Sequence, residues 1–396
     1  MESKINRITD TLRRDDGISG AMHYTEQISW ILFLKFLNDL EETKNDDAQL
    51  DGEIYNFVLD EKFRWGSWAV LKANGKIDVI NSKSGEDLLE FVNKDLFPYL
   101  KSFKNITENP KSIKYKIGAI FEFLDNRIAN GHTLREVLDI IDEMDFHNNS
   151  DLYQLSLIYE KLLKDMGSDG GNSGEFYTPR PLIKVITDVV NPNIRDKLYD
   201  PAVGSCGFLI EAYNHIRYEN IETNKQRDLS TEQLRFLSED TFFGNEKTPL
   251  SYVMGVMNMI LHGVESPNIS KTNTLTRDIR GLEEKDRYDC ILANPPFGGK
   301  EKDQIQQNFP IKSNATELLF LQHMMNSLKL QGRSGVVIPE GVLFQTNNAF
   351  QAVKKDLCER FNVHTILSLP SGVFLPYSGV KTNVIFFDRN GSTSDI

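Results

Sequence analysis

Apolar residues recur at helical spacing early in the chain. Ile28, Leu32, Phe33, Phe36, Leu37 and Leu40 mark one face of an amphipathic segment over 22–40. The same period predicts helices over 87–103, 112–128 and 133–144. Ala129-Asn130-Gly131, between the last two, reads as a helix stop. Ser150 stands where it can cap a further helix over 151–166. Arg64-Trp65-Gly66-Ser67-Trp68 breaks the period and reads as an irregular, aromatic-rich insert. Residues 1–165 therefore form a helical domain, suited to docking and carrying no catalytic set.

The pattern then changes. Gly167-Ser168-Asp169-Gly170-Gly171-Asn172-Ser173-Gly174 is a flexible run, either a linker or a loop over a site. Thr178 is a good helix cap and Pro179 a good first helical residue, with Leu182, Ile183, Val185, Ile186 and Val189 following. From there short apolar runs alternate with helical patterns. Strands are expected over 197–199, 241–246, 290–293, 332–339, 363–369 and 383–387. Helices are expected over 208–217, 249–261, 316–330 and 349–361. This alternation predicts an α/β domain over 166–396, with a mostly parallel sheet covered by helices on both faces.

Composition narrows the function classes. No run of about 18 apolar residues is present, so no membrane span is expected. Met1 to Asp16 has no apolar signal core, and Cys206, Cys290 and Cys358 form no pair-like spacing. A reduced, cytoplasmic compartment follows, with no disulfide frame and no metal site. The net charge of −12 argues against a chain that grips nucleic acid unaided. Either the basic face is local or another subunit supplies most phosphate contacts. No Gly-x-x-x-x-Gly-Lys-Ser/Thr loop is present, so the chain carries no nucleotide-driven motor of that type.

Candidate chemistry sits at the expected strand ends. Asp289 to Gly299 opens as a buried strand and stops at Asn294-Pro295-Pro296-Phe297. The two prolines stiffen the loop and cannot donate ladder hydrogen bonds. The Asn294 side-chain oxygen and the Pro295 carbonyl are two acceptors suited to one exocyclic NH2, and Phe297 can stack on the base that carries it. The plainer alternative is a polar strand-end turn over a packed aromatic. Asp200-Pro201-Ala202-Val203-Gly204-Ser205-Cys206-Gly207, leading into Phe208, joins a strand to a helix N-terminus. Such a turn suits the polar end of a nucleotide-like ligand. Glu246 closes the next strand, where a carboxylate accepts from both ribose hydroxyls; otherwise it serves the helix that follows. Asn273-Thr274-Leu275 precedes the strand bearing Asn294.

In this order, Gly174-Glu175-Phe176-Tyr177-Thr178-Pro179-Arg180-Pro181, Asp200–Gly207, Glu246 and Asn294–Phe297 resemble the gamma class of DNA adenine-N6 methyltransferases. More closely, they resemble the modification subunit of a type I restriction-modification system. The resemblance spans nearly the whole chain and implies a Rossmann-like methyltransferase domain whose last strand runs antiparallel. It implies S-adenosylmethionine as cofactor, with Glu175, Phe176, Tyr177, Thr178, Asp200, Pro201, Ala202, Gly204, Ser205, Gly207, Phe208, Glu246, Asn273 and Asn294 around it. Asn294, Pro295, Pro296 and Phe297 would act on an adenine flipped from DNA. The implied partners are DNA, a specificity subunit shared by two modification subunits, and a restriction/translocase subunit. The family usually carries a further helical tail that docks on the specificity subunit, whereas this chain ends at Ile396, just past its last strand. Val203 and Cys206 depart from the usual Asp-Pro-Ala-Cys-Gly-Ser-Gly-Gly turn. Cys206 bears on cofactor affinity, because it puts a side chain where the backbone must come close. The competing readings are a methyltransferase for a protein amide or RNA amine, and a cofactor-binding scaffold without catalysis.

Overall fold

The structure is a computed structural model that describes residues 2–73, 76–78, 80–107, 109–144, 146, 162, 178–220, 223, 225–375 and 378–396. The helix expected over 151–166 with its Ser150 cap, and the glycine-rich run 167–174, lie outside the described residues. The chain divides into two compact units, Met1–Asp169 with Val256–Ser266, and Gly170–Gly255 with Pro267–Ile396.

The first unit is mainly helical. Helices α1 (Glu2–Leu12) and α2 (Ala21–Leu50) open it. Residues 24–37 of α2 are buried on every face, so the amphipathic expectation gives way to a central helix. Its polar members are paired there: Lys35 Nζ meets Asp39 Oδ1 at 2.6 Å, and Trp30 Nε1 donates to Gln27 Oε1 at 2.8 Å. The tract 64–68 is not an irregular insert. Trp65–Trp68 forms a short helix, α3, and both indoles are buried, donating to Asp142 Oδ1 and the Phe63 carbonyl. A small hairpin, β1 (Lys72–Ala73) and β2 (Lys76–Ile77), follows. The helix expected over 87–103 is α4 (Gly85–Glu90) and α5 (Phe97–Ile106) joined through a π-helical turn, Phe91–Leu96. Pro98, in the first turn of α5, has no N–H to give to the turn before it.

Helix α6 (Ile113–Phe121) stops well short of residue 128. The reason is competition for its backbone. Gln27 accepts from Arg127 N at 3.1 Å and donates to the Asp125 carbonyl at 3.1 Å. The Asp15 carboxylate accepts from Ala129 N at 2.8 Å and Asn130 N at 3.0 Å. Asn130 in turn accepts from His132 N, which makes it the cap of α7 (Gly131–Asp142). Ala129-Asn130-Gly131 is thus a helix start and not a stop.

The second unit is built on a seven-stranded sheet in the order β10-β11-β9-β8-β3-β6-β7. The strands are β3 (Leu198–Asp200), β6 (Phe242–Glu246), β7 (Asn268–Lys271), β8 (Tyr288–Ala293), β9 (Leu328–Pro339), β10 (Asn362–Ser368) and β11 (Thr382–Asp388). A separate small hairpin pairs β4 (Tyr218–Asn220) with β5 (Lys225–Gln226). β3 pairs parallel with both β6 and β8, while β11 runs antiparallel to β9 and β10. The mostly parallel sheet and antiparallel last strand follow the expectation. Its central strands are buried on both faces, which is why 290–293 reads as an unbroken apolar run. Edge strand β7 and helix Thr231–Glu239, capped by Ser230 and Gln233, carry too little apolar pattern to be expected from sequence. Helix Thr316–Ser327 ends before residue 330 because β9 already begins at Leu328. Among the described residues, no helix is long and apolar enough to cross a membrane.

Replacing Asp15 with Ala leaves the Ala129 and Asn130 N–H groups without their acceptor. Chemical denaturation should show a loss of about 2–3 kcal/mol from the helical unit, since unmet buried donors cost roughly 1–3 kcal/mol each.

Candidate functional site

Chain order makes the sheet reverse at β3. The chain passes from β3 outward to β6 and β7, then returns to the other side of β3 as β8. A crevice forms at such a reversal, beyond the carboxyl ends of the strands. Asp200 ends β3, Glu246 ends β6 and Asn294 follows β8, so the three residues singled out by sequence share one edge of the sheet.

Two adjoining cavities occupy that edge. The smaller is lined by Thr178, Ile183, Asp200, Ala202, Val203, Gly204, Ser205, Gly207, Phe208 and Asn294. The larger, about 220 Å³, takes Pro201, Ala202, Gly204, Asn245, Glu246, Asn273, Asn294 and Pro296 among its walls. Ala202, Gly204 and Asn294 belong to both. Pro295 is buried and lines neither cavity. Phe297 is half-buried, its ring edge-on to Phe374 at 6.2 Å and 79°. Glu175, Phe176 and Tyr177 lie outside the described residues.

Glu246 fixes the turn between β3 and its helix. Its Oε2 accepts from Gly204 N at 3.0 Å and its Oε1 from Thr248 N at 2.7 Å. Both carboxylates of the site are desolvated. Burial pushes the Asp200 carboxyl up to about 8, against the pull of the Ala202 N–H, and the charge of Glu246 adds to the rise. Burial also raises Glu246, against the backbone donors of Thr248 and Gly204. Below the larger cavity, Tyr199 Oη meets His323 Nε2 at 3.0 Å and accepts from Asn245 Nδ2 at 2.8 Å. Burial holds His323 down to about 3, so its imidazole is neutral beside Tyr199.

The two departures in the turn differ in place: Val203 lines the smaller cavity, whereas Cys206 does not. Cys206 takes a left-handed conformation, φ 63°, is fully buried, and lines neither cavity. Its Sγ lies 2.8 Å from where a Cβ on Gly255 would stand, and Val203 fills the space of a Cβ on Gly244. Glycine on the neighbouring elements makes room for both side chains, so Cys206 does not intrude on the turn's ligand face.

Thr178 is not a helix cap. Pro179 holds the cap position of helix Arg180–Val190, and the Thr178 hydroxyl instead accepts from Asn294 Nδ2 at 3.0 Å. Asn294 Oδ1 is buried and has no hydrogen-bond partner among the described residues. An unpaired acceptor in a wall common to both cavities, beside two desolvated carboxylates, fits a cationic ligand with hydroxyl donors and a substrate that brings an N–H. Sequence reasoning missed Thr272, Leu275, Thr316 and Phe320, which also line the larger cavity. Thr316 and Phe320 sit on a helix whose periodicity signals only its core face.

This arrangement is that of a methyltransferase-type α/β unit, with a buried acceptor beside a cavity of about 220 Å³. The family described as N-6 DNA Methylase matches residues 150–396, and the HsdM N-terminal domain matches residues 1–151. The methylase subunit of the type I restriction enzyme EcoEI of Escherichia coli is 36% identical over 400 residues, covering 100% of this chain and 76% of that one. The EcoKI methylase subunit of Escherichia coli K12 is 30% identical over 398 residues, covering 98% and 67%. A modification subunit from Vibrio vulnificus YJ016 superposes with TM-score 0.87 at 35% identity, covering 100% of this chain and 82% of that one. A chain in a structure of a type I R-M system does so with TM-score 0.79 at 42% identity, covering 99% and 74%. The chain belongs to the N-6 DNA methylase family, as a type I modification subunit. It is an adenine-specific DNA methyltransferase.

The raised Asp200 carboxyl sets a pH signature. The folded protein keeps its proton up to about pH 8, whereas the unfolded chain gives it up near the ordinary value of 3.8. Folding stability from this group is therefore lost as pH rises through that window. Asp200→Asn should raise the melting temperature relative to wild type at pH 8, and the difference should shrink towards pH 5 in thermal denaturation without ligand.

Proposed function

We propose that S-adenosylmethionine occupies the two cavities, and that Asn294 and Pro295 receive the N6 amine of an adenine flipped out of DNA. The reading rests above all on Asn294 Oδ1, a buried acceptor with no partner among the described residues, in the wall common to both cavities. The methionine end would lie by Thr178 and the Asp200–Gly207 turn, with Glu175, Phe176 and Tyr177 completing its surroundings. Glu246 would take the ribose hydroxyls on the lone pairs that Gly204 N and Thr248 N leave free. Asn273, whose Oδ1 accepts from Leu275 N at 3.1 Å, would border the base.

When bound, S-adenosylmethionine supplies an electrophilic methyl group on a sulfonium. The protein's part is positioning and electrostatics. Asn294 Oδ1 and the Pro295 carbonyl each accept one N–H of the target amine, which turns the nitrogen lone pair towards the cavity. The residues would hold that nitrogen in line with the methyl carbon, so that the nitrogen–carbon bond would form as the carbon–sulfur bond broke and left its electron pair on sulfur. Positive charge grows on the nitrogen and is held by the two acceptors until its proton departs to solvent. Pro296 stiffens the loop, and Phe297 stacks on the base, its ring held by Phe374.

We infer the assembly from chemistry and charge. A chain of net charge −12 gains its DNA grip from a specificity subunit, which two modification subunits share and a restriction/translocase subunit joins. Residues 1–165 would dock on DNA and partner, in the cytoplasm.

The test is transfer of labelled methyl from S-adenosylmethionine to DNA by the chain reconstituted with the specificity subunit encoded beside it. N6-methyladenine should appear. Asn294→Ala should lower turnover on the order of 10²–10³-fold, as loss of a transition-state partner does, with cofactor affinity within a few-fold of wild type. Unchanged transfer would remove Asn294 from the reaction. Glu246→Ala should weaken cofactor binding by roughly 10- to 100-fold in calorimetry, since hydrogen bonds to a charged group are worth about 1.5–3 kcal/mol. Equal affinity would reject its ribose role.

A further inference from the structure

A carboxamide presents an acceptor at one end and a donor at the other, in nearly the same shape. Only its neighbours decide which end faces a ligand. At Asn294 that decision is visible. The Nδ2 end donates to Thr178 Oγ1 at 3.0 Å, and the Oδ1 end is buried and has no partner among the described residues. Both residues line the smaller cavity.

We propose that Thr178 is a positioning residue for methyl transfer, whose hydroxyl oxygen holds the Asn294 carboxamide with its acceptor towards the substrate amine. The inference rests on the reading that Asn294 Oδ1 accepts from that amine. With the carboxamide reversed, an NH2 would face an NH2, and the substrate nitrogen would be neither held nor stabilised as it gains charge. The segment before helix Arg180–Val190 is built to hold Thr178 in place. Pro179 takes the cap position with fixed φ, which leaves the Thr178 hydroxyl free of capping duty. Arg180 Nη1 donates to the Gly207 carbonyl at 3.3 Å, tying the helix start to the turn after β3. Thr178 thus spans the approach between two strand ends, and its hydroxyl acts on Asn294.

The test compares Thr178→Val, Thr178→Ser and Asn294→Ala in the reconstituted complex. Single-turnover methylation at saturating S-adenosylmethionine and calorimetric cofactor affinity are measured for each. Thr178→Val keeps the shape but offers no acceptor, so its single-turnover rate should fall about 10- to 100-fold, with cofactor affinity within about threefold of wild type. Thr178→Ser restores the hydroxyl and should recover most of the rate. A Thr178→Val enzyme that transfers methyl at the wild-type rate overturns the proposal, as does one that loses only cofactor affinity. A Ser variant as slow as Val overturns it too. Asn294→Ala separates the two levels. If it is inactive while Thr178→Val is normal, only the positioning role fails. If Asn294→Ala is itself fully active, the amine reading fails first.

Discussion

Glu246 ends one strand of the sheet and ties down the turn that ends the next. Its two oxygens accept from Gly204 N and Thr248 N, so a single buried carboxylate fixes both the β3 turn and the start of the helix after β6. Such a group is costly to bury, and its raised proton affinity is the sign of that cost. Asp200 bears a similar burden close by. The two desolvated carboxyl groups both have raised proton affinity, and the charge of Glu246 adds to the rise at Asp200.

The same edge of the sheet carries Asn294, the acceptor we propose for the substrate amine. Parallel strands β3 and β8 lie side by side, so Asn294 emerges next to Asp200 although far from it in sequence. The two prolines after Asn294 end the strand and hold the loop in extended geometry. Thr178 then takes one end of the carboxamide and leaves the other open. Asn294 Oδ1 is left without a partner among the described residues, in a wall common to both cavities.

The departures in the glycine turn show how a family pattern can shift without loss of shape. Val203 lines the smaller cavity and Cys206 lines neither, and Gly244 and Gly255 leave the space each side chain needs. The substitutions and the two glycines form matched pairs across packed elements. Close packing makes such pairs necessary, since a single added carbon at either glycine would meet an atom already in place.

From the sequence alone came the helical first part, the alternation of the second, and the residues of the site in order. These are local properties. Periodicity reports which face is buried, prolines and glycines punctuate elements, and Asp200, Glu246 and Asn294 each stand at the end of an apolar run. Local pattern failed where a distant group outcompeted it. Asp15 and Gln27 drew residues 125–130 out of a helix, and Asn294 took the hydroxyl expected to cap one. Edge strand β7 and cavity residues Thr316 and Phe320 were illegible for the same reason, because their roles depend on what packs beside them. Only the tertiary structure decided that β3 lies between β6 and β8, that Cys206 turns inward, and that the Asn294 acceptor is the end left free. Each of these is set by contacts between residues remote in the chain, which no spacing along it can encode.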